Sequence, residues 1–335
     1  MVALIVVGVA AYAITEHNST GKASSPLIVY SADAYVKESS TLLSQFHNKS
    51  GASVAPVKGG GSLTDARQIG QGSPSDVFIS VSLSSYGKSY LHSRYSGWAV
   101  AFASDQMVLA YSSATKANSS AGSIISQFSN ASRSNSTSGY NAAFTSLTSG
   151  NVKVGIANPN SDPAGFRGWL TLEIAGYVFH DNNTSYYTHR ISANGGNISA
   201  GDASQLVSPL ESGNIQFLFI YRSAAIVKGL NYIALPASVN LGSVNYAGFY
   251  SGFSYNLSSG SATGAPIYLY ITALNGSSDM QTAMSFTEYV LNNTALLKAY
   301  GLTPITPALL YNSTAPPPGI SEYLSSGKAA HAGGI

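Results

Sequence analysis

Val152-Lys153-Val154-Gly155-Ile156-Ala157-Asn158-Pro159-Asn160-Ser161-Asp162-Pro163-Ala164-Gly165-Phe166-Arg167 joins an apolar run to a helical pattern across a polar turn. Its apolar run, Val152 to Ala157, stops at a turn. From Gly165 to His180, Phe166, Trp169, Leu170, Glu173, Tyr177 and Val178 then recur at three-to-four spacing, which reads as strand, turn and helix. Asp162 is the expected cap and Pro163 the first helical residue. Such a junction aims unpaired backbone N–H groups at one spot with the positive end of the helix dipole behind them, and so offers an anion site. A capped surface helix is served by the same residues.

Upstream, Leu27-Ile28-Val29-Tyr30 predicts a buried strand and about Tyr35 to Lys49 a helix. Val54 to Val57 predicts a second strand, Gly59-Gly60-Gly61-Ser62 a turn into a helix from Leu63 to about Gln71, and Asp76 to Ser80 a third strand. Strand alternating with helix implies parallel pairing, with ligands at the carboxyl ends of the strands. Those ends carry small or hydroxyl residues: Ser31 to Ala34, Gly59 to Ser62 and Ser80 to Ser82. Two strand-like runs flank Ser104-Asp105, as if the chain crossed into a second lobe, and Ser112 to Ser149 reads as a weakly structured surface region with helical turns around Ser123 to Phe128 and Ala142 to Leu147. Downstream, Asp181 to Ala203 reads as a polar loop, Ile215 to Ile220 as a strand entering a short helix, and Tyr232 to Pro236 as the strand crossing back. Ile267 to Ile271 predicts a further strand and Ser278 to Tyr300 a helix.

This order predicts two α/β lobes, one from 26–101 plus 236–312 and one from 102–235, each a mixed sheet flanked by helices. Two connecting strands would let them close as a clamshell. Residues 1–25 read as the remnant of a signal or membrane anchor plus a linker, because Met1 to Ile14 is almost wholly apolar yet shorter than the roughly 20 residues a spanning helix needs. Residues 313–335, with Pro316-Pro317-Pro318 and a Gly/Ala/Ser run, read as a flexible tail.

Charged residues make up only 9% of the 335, against an ordinary figure of roughly a quarter. Apolar content is 44% with 22 tyrosines, so Ser, Thr, Asn, Gly and Tyr cover the surface in place of Lys and Glu. A net charge of +2 without a basic run excludes a nucleic-acid footprint. So few carboxylates leave the surface charge little changed in acid, which fits an exterior at low pH. The absence of cysteine removes disulfides and Cys-ligated metals, and the six histidines lack zinc-ligand spacing. Twelve Asn-x-Ser/Thr sequons, spread from Asn18 to Asn312, agree with export and a glycoprotein.

From about Leu27 to Leu310 the chain resembles the extracytoplasmic solute-binding proteins of ABC importers, of periplasmic-binding-protein type II architecture. More narrowly it resembles their archaeal tungstate/molybdate-binding branch. The specific elements are Asn158 to Arg167, where that branch has Asn-Pro-Asn-Asp-Asp-Pro-Cys-Gly-Tyr-Arg, and Phe219-Ile220-Tyr221-Arg222-Ser223-Ala224-Ala225, where it has a Tyr-Arg/Lys-Ser-Val-Ala segment. Gly61-Ser62 and Ser75-Asp76-Val77 agree more loosely. The resemblance implies capture of a tetrahedral oxyanion, tungstate or molybdate, and delivery to a membrane permease with its ATPase subunit. It implies no catalysis and no cofactor, and a place on the outer face of the membrane, held there by the N-terminal segment.

Carried over residue by residue, it puts Asp33, Ala34, Gly61, Ser62, Ser80, Asp162, Pro163, Ala164 and Tyr221 at the ligand, with Asp162 reaching a metal only through a bound metal oxyanion. Ser62 would bond an oxo group. The branch's first strand end, Ala-Gly-Ser, is Ala32-Asp33-Ala34 here, and Ile220 falls where many members carry a glutamate completing six-fold coordination. Two-carboxylate ligation and a four-coordinate anion held by N–H and O–H donors both stay open, as does the choice among tungstate, molybdate, sulfate and phosphate. Each residue also has a plain structural use: Ser62 and Asp33 as helix caps, Tyr221 as core, Arg167 and Arg222 as locally paired cations rather than cations near the anion.

An exported hydrolase is the competing class. Gly-x-Ser-x-Gly and His-Glu-x-x-His are both missing, and Ser-x-x-Lys at Ser19, Ser85 and Ser325 lacks its companion motifs. No P-loop is present either. An adhesive surface glycoprotein would account for the sequons but not for the alternation of strand and helix.

Overall fold

The computed structural model describes residues 25–258 and 260–335. Two separate sheets carry the chain. The first lobe contains β1 (Val29–Ala32), β2 (Lys58–Gly60), β3 (Val77–Ser80) and β4 (Trp98–Asp105). The second contains β5 (Met107–Tyr111), β6 (Val154–Gly155), β7 (Asn197–Ile198), β8 (Phe217–Tyr221) and β9 (Asn231–Ala234). A two-stranded hairpin, β10 (Ser254–Leu257) and β11 (Gly260–Thr263), follows, and then the chain returns to the first sheet with β12 (Ile267–Ala273), β13 (Thr303–Asn312) and β14 (Ala329–Gly333).

The first sheet runs β14-β13-β4-β12-β3-β1-β2 and the second β7-β6-β8-β5-β9. β1 pairs in parallel with β2 and β3, as strand-helix alternation dictates, whereas β12 runs antiparallel to β3 and β4. Both sheets are mixed and both are covered by helices, so their central strands are mostly apolar: β4, β8 and β12 are buried along their whole length.

The chain passes between lobes at Gln106, between β4 and β5, and returns after β9. Residues 102–105, expected in the second lobe, lie in the first, because all of β4 pairs with β12 and β13. The hairpin departs from the expected division too. It leans on the helix Pro163–Phe179 of the second lobe, where Trp169 stacks on Tyr255 at 6.5 Å.

Three stretches are more regular than their composition predicts. Ser112 to Ser149 is not weakly structured: the turns expected around Ser123 and Ala142 extend into helices Ser119–Ser134 and Thr137–Leu147, preceded by a short helix Ser113–Ala117. Ser112, Asn118 and Ser136 cap them, and a stripe of apolar residues, including Ala121, Ile124, Phe128 and Phe144, is buried. The loop 181–203 contains the helix Tyr186–Ala193 and β7. Residues 313–335, expected as a flexible tail, hold a helix Pro318–Ser325 started by proline and a strand, β14, that pairs in parallel with β13. Pro and Gly there punctuate structure rather than prevent it. The second strand also falls later than Val54 to Val57: Val54 makes only an isolated bridge to Leu27, and the pairing with β1 runs through Lys58 to Gly60.

The apolar segment Met1 to Ile14 lies outside the described residues. Among those described, no helix is long and apolar enough to cross a membrane.

Candidate functional site

The strand ends of both lobes meet in a small cavity of about 20 Å³. From the first lobe it is lined by Ala32 to Ala34, Gly60 to Ser62 and Val81, and from the second by Asp162 to Ala164, Asp202 to Ser204, Ile220, Tyr221 and Ala224. Eight of the nine expected residues therefore come together. Ser80 does not. It lies one residue short, where its hydroxyl meets Ser85 Oγ at 2.7 Å and accepts from Ser82 N, and Val81 takes its place at the cavity.

Asp162 is the cap that the sequence predicts: its Oδ1 accepts from Ala164 N at 2.9 Å at the start of the helix Pro163–Phe179. Its other oxygen does something the sequence does not show. Oδ2 accepts from Ala203 N at 2.9 Å and so ties the 202–204 loop to the helix start. Burial pushes this carboxyl up to about 6, opposed by the two amides and reinforced by the nearby charges of Asp202 and Asp33. Gly165 is required by packing, since a Cβ there would run into the carbonyl of Ala157 at the end of the preceding strand.

Ser62 is not a cap. Gly61 occupies the cap position, and Ser62 is the first residue of the helix Ser62–Gly70. Buried, it accepts from Val81 N at 3.3 Å, which leaves its proton for another acceptor. Asp33 is not a cap either: it faces the cleft and accepts from Ser204 Oγ of the opposite lobe. Asp202 directs its carboxylate to Gln205, at 3.0 Å from N and 2.9 Å from Nε2. The cavity thus has three carboxylates in its lining, each held by protein donors, and no cationic side chain.

The two arginines lie elsewhere. Arg167 is one layer behind the cavity, where Nη1 donates to Tyr221 Oη and Nη2 to the Val81 carbonyl, both at 2.6 Å. Arg222 packs against Gly301 with its Nε buried and unpartnered. Tyr221 is core and cavity wall at once: its ring stacks on Tyr35 of the first lobe at 5.7 Å. Burial raises its phenol, against the pull of Arg167.

The lobes are closed on each other at several points. Gly61 lies so near the second lobe that a Cβ would sit 2.5 Å from the Ser161 carbonyl, and Arg167 and Ser204 each bond across. Where the chain crosses, Asp105 accepts from Gln106 N at 2.7 Å, Tyr35 Oη at 3.0 Å, Ser223 Oγ at 2.5 Å and Ser223 N at 3.4 Å. Sequence reading found Asp105 only as a crossing point. Asp202 and Ala203 read from sequence only as the end of a polar loop, because nothing local distinguishes Asp202-Ala203-Ser204 from other polar loop residues.

Two mixed-sheet lobes meeting over a small enclosed cavity at their strand ends define a protein that captures a small ligand between domains. The chain belongs to the bacterial extracellular solute-binding protein family, which it matches over residues 27–303. An uncharacterised solute-binding protein of Saccharolobus solfataricus is 37% identical, over 92% of this chain and 78% of its own. One of Sulfurisphaera tokodaii is 33% identical, over 92% and 84%. The fold is similar to that of the periplasmic molybdate-binding protein of Azotobacter vinelandii, with TM-score 0.57 and 18% identity over 83% of this chain and 98% of that one. The sulfate-binding protein SubI of Mycobacterium tuberculosis shares it at TM-score 0.58 and 12% identity, over 92% and 93%.

Proposed function

We propose that this solute-binding protein captures a tetrahedral oxyanion, tungstate or molybdate, in the small cavity and presents it to an ABC permease powered by a separate ATPase subunit. It acts by binding and not by catalysis, on the outer side of the membrane, tethered by its N-terminal segment. The observation that carries the reading is the convergence of two helix N-termini, at Ser62 and Pro163, and the uncommitted Ser62 proton on one enclosed cavity. Helix N-termini and a hydroxyl hold a dianion without a cation, and water exclusion strengthens each bond.

The carboxylates favour a metal oxyanion over sulfate or phosphate. Asp33, Asp162 and Asp202 repel any dianion, but the metal of tungstate or molybdate can accept a carboxylate oxygen, which sulfur and phosphorus in their oxyanions do not. Ile220, at the cavity wall, favours the alternative in which a four-coordinate anion is held by N–H and O–H donors alone, and sulfate or phosphate then competes as cargo. A cavity of about 20 Å³ holds roughly one water-sized sphere, so entry requires the lobes to part.

Calorimetry with tungstate, molybdate, sulfate and phosphate tests the reading. Tungstate and molybdate are expected to bind more tightly than sulfate and phosphate. No heat with any of the four, together with binding of a sugar or peptide, overturns it.

A further inference from the structure

The lobe interface holds a second and much larger space. A groove of about 910 Å³ lies between β12, β13 and the helix Ser62–Gly70 on one side and the start of the helix Pro163–Phe179 with the β10–β11 hairpin on the other. It shares no lining residue with the small cavity: Ser62 and Val81 face one space, Leu63 and Ser82 the other. Its volume is that of a small-molecule site, which typically measures about 300–1,000 Å³.

Its chemistry is two-sided. Tyr268 and Tyr270, each 6% exposed, meet at 6.1 Å, and Tyr311 lies 5.7 Å from Tyr270. Among the described residues, these three phenol hydroxyls make no hydrogen bond to the protein, and the rings line the groove. Burial, and then Tyr311, pushes the Tyr268 phenol up to about 12, so it stays a proton donor. The only ionised side chains in the lining are Arg67 and Arg167, and no aspartate or glutamate is present. Arg67 is exposed, with its guanidinium over the Tyr90 ring at 5.3 Å. Facing these donors is an apolar wall of Phe166, Leu170, Leu241 and Leu257.

We propose that this groove is a second ligand site, which takes a small organic anion, its charged end against Arg67 and the free tyrosine hydroxyls and its apolar body against the Phe166–Leu257 wall. A lining that carries arginine and phenol donors but no carboxylate favours an anionic head group over a neutral or cationic one. The apolar wall makes an inorganic anion a poor occupant, which separates this groove from the small cavity.

Calorimetry on the full chain with 4-phenylbutyrate and its neutral counterpart 4-phenylbutanol tests the proposal. The carboxylate is expected to bind at least about tenfold more tightly than the alcohol, as a charge-assisted hydrogen bond gives. Arg67→Met should remove that preference while leaving tungstate binding unchanged. Tyr268→Phe and Tyr270→Phe, which keep the rings, should each weaken the carboxylate several-fold. Equal affinity for acid and alcohol, an Arg67→Met variant that keeps the preference, or displacement of 4-phenylbutyrate by tungstate overturns it. Tungstate titrated alone into the wild type reports separately on the oxyanion site, so failure of either assignment leaves the other readable.

Discussion

The crossing point and the cleft are both built on a buried aspartate at the start of a helix, and they are wired differently. Asp105, beside the helix Arg222–Val227, takes four hydrogen bonds drawn from both lobes: Tyr35 from the first, Ser223 from the second, and Gln106 between them. Asp162, beside Pro163–Phe179, takes two, both from second-lobe amides. An acceptor saturated from two sides holds the lobes together and has nothing left for a ligand. One tied within a single lobe moves with that lobe and keeps a face toward the cavity. The difference separates a fixed pivot from a site that opens.

Removing the pivot is the severest way to test that contrast. Asp105→Ala leaves buried donors from two lobes unsatisfied and should cost about 3–5 kcal/mol. Denaturant unfolding checks it, and a loss below about 1 kcal/mol would mean that Asp105 holds nothing together.

At the cleft, Asp162→Asn should lower stability by about 1–2 kcal/mol, since an amide can accept from only one of Ala164 N and Ala203 N and turns its own NH2 toward the other. Discrimination of tungstate from sulfate should drop by a further 1–3 kcal/mol, about the scale of one charged hydrogen bond. Equal tungstate-to-sulfate ratios in wild type and variant would leave Asp162 as cap and loop tie alone.

Glu38 sharpens the comparison from the other direction. It is 1% exposed in the first lobe and neither carboxylate oxygen has a partner, so it has Asp105's burial without Asp105's donors. Burial, with a further push from Asp105, raises it to about 7. Glu38→Met should therefore stabilise the protein at pH 7.5 by about 1–2 kcal/mol. Because its folded value lies above its unfolded one, the folded state binds the extra proton. Stability should rise as pH falls from about 7 toward 4.5, and Asp65, raised to about 7 mainly by burial, adds to the same trend. A melting temperature that falls over that window contradicts it. Glu38→Met should flatten the rise.

The smallest effect is expected at the contact across the cleft. Ser204→Ala removes the hydroxyl that reaches Asp33 and should weaken ligand affinity by no more than about fivefold, mainly through faster release. An unchanged dissociation rate would show that this contact plays no part in closure.

How much of this was legible follows from how far each feature reaches along the chain. Asp162, Pro163 and the helix behind them are local: cap, first-turn proline and apolar spacing lie within a few residues of one another, and the helix starts where they predict. Strand-helix alternation likewise carried the two-lobe plan and the strand ends at Asp33 and Ser62, while the family resemblance added Tyr221, and the structure brings all three to one cavity. Ser80 was misplaced because strand ends are uncertain by a residue and successive side chains point to opposite faces. The Ser/Asn-rich helices and the 313–335 segment were hidden because burial of small residues and pairing with β13 depend on partners far away in sequence.

The α/β class, the capped helix start at Asp162 and the sparse charge were legible in the chain, since each is a property of neighbouring residues or of composition. Only the tertiary structure decided that Asp162 also holds the 202–204 loop, that Asp33 meets Ser204, that Arg167 stands behind the cavity rather than in it, and that the tyrosines of β12 and β13 face a second groove. The physical reason is the same in each case. A hydrogen bond or a shared cavity between residues tens to hundreds of positions apart leaves no periodicity in the chain, and exists only once the sheets have placed both partners.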